Sequence, residues 1–247
     1  MTPSQRTASC GCNVTTWTVP QSRRRSITRR PPRQLGEPSP RSVPDLLPGY
    51  HNPLPVTRPV GLRSRTVQPG TTMWRVEAAA PDEWDWHGFP GARYRFDPPS
   101  GAFRTRYAGA DLVGAFRERY RATGLVIPAD HAGHYLIELV TRRPMRVLDL
   151  RTERNLDALD VDDQISTGQH DAVWDTCQRL AEAARGWWLD LDAIVYRSRT
   201  TPHQSANYAF FAHQQFRIRL WPLAERLDVL TELVLRHGFT VSWPLGG

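Results

Sequence analysis

Residues 135–150, YLIELVTRRPMRVLDL, hold the stretch on which the fold turns. Two apolar runs, Tyr135–Thr141 and Met145–Leu150, flank the basic turn Arg142-Arg143-Pro144. Each run is short, carries Val or Ile, and is bounded by turn residues, which is the pattern of a strand. Two strands therefore follow one another with no helix between them. That breaks the strand-helix-strand rhythm of a doubly wound sheet, and no GxGxxG opens a helix after a strand anywhere in the chain. A single compact mixed α+β domain is expected.

Upstream of this stretch, residues 73–77 read as a short strand, and Pro81 to Pro90, with Trp84 and Trp86, as a loop. Asp97-Pro98-Pro99-Ser100-Gly101 is a turn, and Phe103 to Ala108 alternates like a strand. Asp111 caps a helix that Gly124 closes, with Leu112, Phe116 and Tyr120 as its buried stripe. Downstream, a helix is expected over Asp171–Arg185, with Trp174, Cys177, Leu180 and Ala184 on one face. Ala193–Tyr196 and Tyr208–Ala212 read as central strands. A last helix starts at Pro222, buries Leu223, Leu227, Leu230 and Val234, and ends at Gly238; Thr240–Trp243 adds a strand.

Charge divides the chain. Residues 1–70 carry 11 Arg against two acids, Glu37 and Asp45, a net charge of +9; residues 71–247 carry 21 Arg against 23 acids, net −2. Twelve of the 21 prolines also precede residue 71. So proline-rich and apolar-poor a segment cannot bury enough surface to offset ordering, so 1–70 is expected to be a disordered tail and 71–247 the folded domain. The run Arg23-Arg24-Arg25-Ser26-Ile27-Thr28-Arg29-Arg30 has the look of a transit peptide or a nucleic-acid tail. A third reading is a start assigned too far upstream, since Met73 leads directly into Trp74-Arg75-Val76. Nucleic acid is expected to bind through this tail if at all.

Three cysteines, Cys10, Cys12 and Cys177, make no disulfide framework, and no apolar run approaches a membrane span; a cytoplasmic setting is expected. No HxxxH, HxH or CxxC spacing supports a metal site, and no resident cofactor is expected. His131 and His134 read as a surface turn. GxSxG is absent, and Cys177 falls on the apolar stripe of a helix, as a packed thiol does. The acids Asp160, Asp162 and Asp163, and Asp190 and Asp192, sit in loops. What remains is polar residues at unusual places: Arg75 inside a strand, Arg95 before a Pro-Pro turn, Glu118 beside the Phe116 stripe, and Ser198 just after an apolar run. Each alone has an ordinary explanation.

In order, these segments resemble the RES domain, a bacterial toxin family named for its Arg, Glu and Ser. The likeness runs through Trp74-Arg75-Val76, Arg95-Phe96-Asp97-Pro98, Tyr107-Ala108, Ala115-Phe116-Arg117-Glu118, Val195-Tyr196-Arg197-Ser198-Arg199 and Asn207-Tyr208-Ala209-Phe210-Phe211, over roughly residues 72–215. It implies a fold like that of ADP-ribosyltransferase toxins and an enzyme that degrades NAD as substrate, with water or inorganic phosphate as acceptor. It also implies a cognate helix-turn-helix antitoxin. Arg95, Glu118 and Ser198 are the implied catalytic set, with Arg75 and Tyr107 in substrate binding. Arg75 and Arg95 suit a pyrophosphate, Glu118 a cationic ribose, and Tyr107 either stacks on nicotinamide or packs in the core. Transfer of ADP-ribose to a macromolecule, or a non-catalytic binding protein, are the alternatives. The chain departs from the family at Arg117, where a small residue is usual, and that puts substrate access in question.

Overall fold

The computed structural model describes residues 46–88, 91–200, 205–212 and 215–244. Its first strand is β1 (Ser64–Val67), then β2 (Thr72–Glu77), β3 (Arg106–Gly109), helix α1 (Leu112–Tyr120), β4 (Val126–Ile127), β5 (Tyr135–Thr141) and β6 (Met145–Asp149). Three helices follow, α2 (Glu153–Leu159), α3 (Gln164–Thr167) and α4 (Asp171–Trp187). The chain then runs through β7 (Ala193–Arg197), β8 (Ala206–Phe210), β9 (Phe216–Pro222), α5 (Leu227–His237) and β10 (Thr240–Val241). The α+β expectation holds.

Eight strands form one sheet in the order β1-β6-β7-β8-β3-β2-β5-β9, and β4 pairs with β10 apart from it. All neighbours in the large sheet are antiparallel except β6 and β7, whose crossover is supplied by α2, α3 and α4. The two strands of the opening stretch do not pair with each other: β5 lies between β2 and β9, and β6 between β1 and β7. In a flat sheet at ~4.8 Å per strand they would stand about 24 Å apart. The link through residues 142–144 reaches at most ~14 Å. The sheet must therefore curl until these strands approach.

The side chains agree. One face of every strand of this sheet feeds a single inner core: Val67, Met73, Ala108, Ile137, Val147, Val195, Phe210 and Phe216 among them, plugged by Trp84. On the outer face, α4 covers Leu148, Ile194 and Ala209 with its Val173, Cys177, Leu180 and Ala184. The other half, with Val76 and Leu136, is covered by Phe116 and Tyr120 of α1 and by Leu230 and Leu233 of α5. The outward positions of the middle strands, Asn207 on β8 and Tyr107 and Gly109 on β3, fall between these two helical layers.

Two expectations need correction. The folded domain does not begin at residue 71. Leu46, Tyr50 and Leu62 are buried in the core under α4, and β1 completes the sheet against β6. Tyr50 also donates from its hydroxyl to Asp162, and Asn155 brackets Arg63 through both its N–H and its carbonyl. Scattered large side chains, rather than a periodic run, anchor this strap. The basic run 23–30 and Cys10-Gly11-Cys12 lie outside the described residues. The second correction is at the C-terminal side. Pro222 ends the edge strand β9 and caps a single 3-10 turn, Leu223–Glu225, which buries Leu223 as expected; α5 itself starts only at Leu227, burying Val229, Leu230 and Leu233 while Leu227 faces solvent. Smaller shifts are that β3 starts at Arg106 rather than Phe103, and that β8 spans 206–210. Among the described residues no helix is long and apolar enough to cross a membrane.

Candidate active site

Glu118 reaches the gap because α1 starts where it does. β3 ends at Gly109, where a Cβ would lie 2.9 Å from the Ala115 amide, so only glycine lets the chain turn this tightly into the helix. Asp111 caps α1 by accepting from the Gly114 amide at 2.6 Å, and its other oxygen accepts from the Ser205 hydroxyl ahead of β8. The helix is thus tied to the strand it must face.

At its last turn, Glu118 Oε1 receives three donors: Ser198 Oγ at 2.9 Å, Thr200 Oγ1 at 2.8 Å and Asn207 Nδ2 at 2.9 Å. Oε2 has no hydrogen-bond partner among the described residues. Ser198 follows β7, and its amide donates to the Ser205 carbonyl, which fixes the hydroxyl beside the carboxylate. Arg117, the departure from the family pattern, points elsewhere: its guanidinium donates to the His237 carbonyl at the end of α5. It does not line the cleft.

The cleft beside Glu118 has a volume of about 340 Å³, within the ~300–1,000 Å³ usual for small-molecule sites. Six arginines line it, Arg75, Arg95, Arg104, Arg106, Arg119 and Arg199, against two acids, Glu77 and Glu118. Arg75 pairs with Glu77 and donates to the Tyr107 carbonyl. Burial pushes the Glu77 carboxyl up, but Arg75 and Arg106 outweigh it and hold the group below its ordinary range. Two guanidiniums are lowered, by burial first and by neighbouring arginines second. Burial, then Arg104 and Arg75, draw Arg106 down to about 10. Burial, then Arg121 and Arg95, lower Arg199.

Arg95 is only 7% exposed. Its Nη1 donates to the Ile165 carbonyl at 3.0 Å and its Nη2 to the Gly168 carbonyl at 2.6 Å, with Trp174 stacked on the guanidinium. It clamps α3 to the turn at residues 94–97. Both sequence-selected arginines therefore reach the cleft, but each already spends its fork on the protein. Tyr107 Oη accepts from the Phe96 amide at 2.9 Å and lies 2.9 Å from Thr105 Oγ1, while Tyr94 meets its ring edge-on. Burial, then Asp97, raise its phenol, so it stays protonated. One ring thus serves both core and cleft wall. Cys177 is buried and its thiol is pushed up to about 11, an inert group.

All five sequence-selected residues converge here. Four line the cleft and Ser198 holds the fifth position through Glu118. Thr200, Arg104, Arg106 and Arg119 carry no mark in the sequence; Arg199 and Asn207 stand there only inside the resembling segments, and Trp174 only on a helix stripe. Asn207 carried a signal, as a lone amide in the buried apolar run Ala206–Phe210. Elsewhere, a larger open groove of about 640 Å³ runs past Arg143 and Arg146, but these are neutralised by Asp192 and Asp190, and none of the converging residues lies there. His131 and His134 stack at 3.8 Å beside Tyr120, and among the described residues no three His, Cys, Asp or Glu side chains gather as a metal site.

A model of the family described as RES domain matches residues 72–229. The chain belongs to the RES domain family. The match begins at β2, so the strap and β1 precede it, and it includes all five converging residues. A chain in the crystal structure of the M. tuberculosis MbcT-MbcA toxin-antitoxin complex aligns at 19% identity and a TM-score of 0.46, over 67% of this RES chain and 92% of that one. No curated protein is significantly similar to the chain.

Proposed function

We infer that this RES domain is a toxin enzyme that cleaves the nicotinamide–ribose bond of NAD, passing ADP-ribose to water or inorganic phosphate. The observation that carries the reading is the Glu118 carboxylate, held on one oxygen by Ser198 and with no partner on the other among the described residues, at the wall of an arginine-rich cleft. NAD presents two demands to such a site. Its pyrophosphate needs cations, and the crowded guanidiniums of Arg106 and Arg199 are relieved when an anion arrives. Its ribose becomes oxocarbenium-like as the C1′–N bond breaks, and a fixed carboxylate stabilises that charge.

In the hydrolytic form, the bonding pair leaves with the pyridine nitrogen and nicotinamide departs neutral. Water oxygen then bonds to C1′ and one proton is released. Glu118 Oε2 faces the ribose, and Ser198 orients Glu118 rather than attacking. Arg95 shapes the wall by clamping α3, while Tyr107 and Tyr94 offer an aromatic surface. A helix-turn-helix antitoxin is the partner that membership of the family supports.

Purified protein incubated with NAD should release nicotinamide, and Glu118→Ala should remove the activity, a loss of at least ~10²–10³-fold. Folded wild type that leaves NAD intact at high enzyme concentration ends this reading. Label from NAD recovered on protein or nucleic acid, instead of on free ADP-ribose, makes the chain a transferase.

A further inference from the structure

We propose that Asn207 is a positioning residue: it selects which oxygen of Glu118 faces the substrate. The catalytic consequence rests on the NAD-cleavage reading, whereas the contact itself does not. A glutamate at the end of an exposed helix turn has several rotamers of similar energy, and reaction needs one. Ser198 and Thr200 lie beyond the end of β7, in irregular chain. Asn207 is different. It sits inside β8, paired with Tyr196 on β7 and with Gly109 on β3, and is 3% exposed. Of the three donors to Oε1, it alone is fixed by sheet on both sides.

Its amide orientation follows from chemistry. An ionised carboxylate only accepts, so the NH2 group must face Glu118. The carbonyl Oδ1 is then turned away and is buried with no hydrogen-bond partner among the described residues. Every other residue of β8 is a buried Ala, Tyr or Phe. An apolar side chain would fill the position without an orphaned acceptor, so packing alone does not explain the amide. What it meets does: the Glu118 carboxylate through Nδ2 and, across the β7–β8 pairing, the buried Tyr196 hydroxyl. With Oε1 taken up, Oε2 is the oxygen offered to the cleft.

Asn207→Asp and Asn207→Ala, made in the full chain, separate this role from simple filling. Asp keeps the volume but loses the donor and sets a like charge against Glu118; Ala loses the donor and leaves a hole. Positioning gives nicotinamide release in the order wild type, Ala, Asp, with kcat falling about 10²-fold for Asp and KM within a few fold. A filler role gives the opposite order, and that result overturns the proposal. A second readout needs no activity. Asn207→Asp should lower the melting temperature, and adding Glu118→Gln should recover it, because the amide and carboxylate have exchanged places. No recovery in the double variant also overturns the contact. If wild type does not consume NAD, the kinetic arm falls with that reading and the melting cycle still decides.

Discussion

Ser198 Oγ donates to Glu118 Oε1 at 2.9 Å, joining the chain after β7 to the last turn of α1 across 80 residues of sequence. Thr200 and Asn207 share that oxygen. Ser198→Ala should therefore weaken nicotinamide release without abolishing it. A hydrogen bond to a charged group contributes ~1.5–3 kcal/mol, so the drop should be about 10–100-fold. Steady-state kinetics of the variant decide, and unchanged kcat/KM would remove Ser198 from the machinery.

Arg95 clamps α3 through two backbone carbonyls. Lysine keeps the charge but has no planar fork to span both acceptors. Arg95→Lys should cost about 1.5–3 kcal/mol and lower the melting temperature by roughly 3–12 °C, at 2–4 °C per kcal/mol for a domain of this size. Thermal unfolding without substrate is the measurement. A variant that melts like wild type yet has lost NAD binding would return Arg95 to the phosphate role.

The strap before β2 is part of the core. Leu62 is fully buried, and Leu62→Ala should cost about 2–5 kcal/mol. Chains starting at residue 45 and at Met73 differ by the strap and β1, so the shorter one should be insoluble or melt far lower. Equal melting temperatures for the two would show that residues 45–72 add nothing.

Acid should loosen the same region. Burial pushes the Asp149 carboxyl up, but hydrogen bonds from Arg151 and Arg65 outweigh it and hold the group below its ordinary range. Glu77 is also held low, by Arg75. A carboxyl depressed in the folded state stabilises above its unfolded pKa, and that contribution is lost as pH falls through the depressed value. The melting temperature should be level from neutrality to about pH 5 and fall below about pH 4. Asp149→Asn should lower it at neutral pH and flatten the acid limb; an unchanged acid limb in that variant would exclude Asp149 as its source.

Elements with both strong periodicity and deep burial were legible in the sequence. β5 falls on the expected residues, and α4 extends the expected helix by two. β1 was not legible, because at a sheet edge Arg65 and Thr66 are exposed, Ser64 is half-buried and only Val67 is buried. β9 did carry a period-two signal, Phe216-Arg217-Ile218-Arg219-Leu220, and the proline at its end starts only a single 3-10 turn before α5. In the site, Glu118 and Ser198 stood out only through the order of the segments. Lone charges on a helix or strand end look like surface until folding brings them together. Thr200 and the other lining arginines, Arg104, Arg106, Arg119 and Arg199, had no local mark at all.

One strand carries a consequence for synthesis. β8 is the single link between β1-β6-β7 and β3-β2-β5-β9, and it supplies Asn207. A nascent chain that has not yet released residues 206–210 from the ribosome can form β1-β6-β7 and β3-β2-β5, but it lacks β9 as well as the link, and it cannot bring Glu118 and its donors together. For a protein proposed to consume its host's own NAD, activity would then switch on only after nearly the whole chain is made, and prematurely terminated products would be harmless.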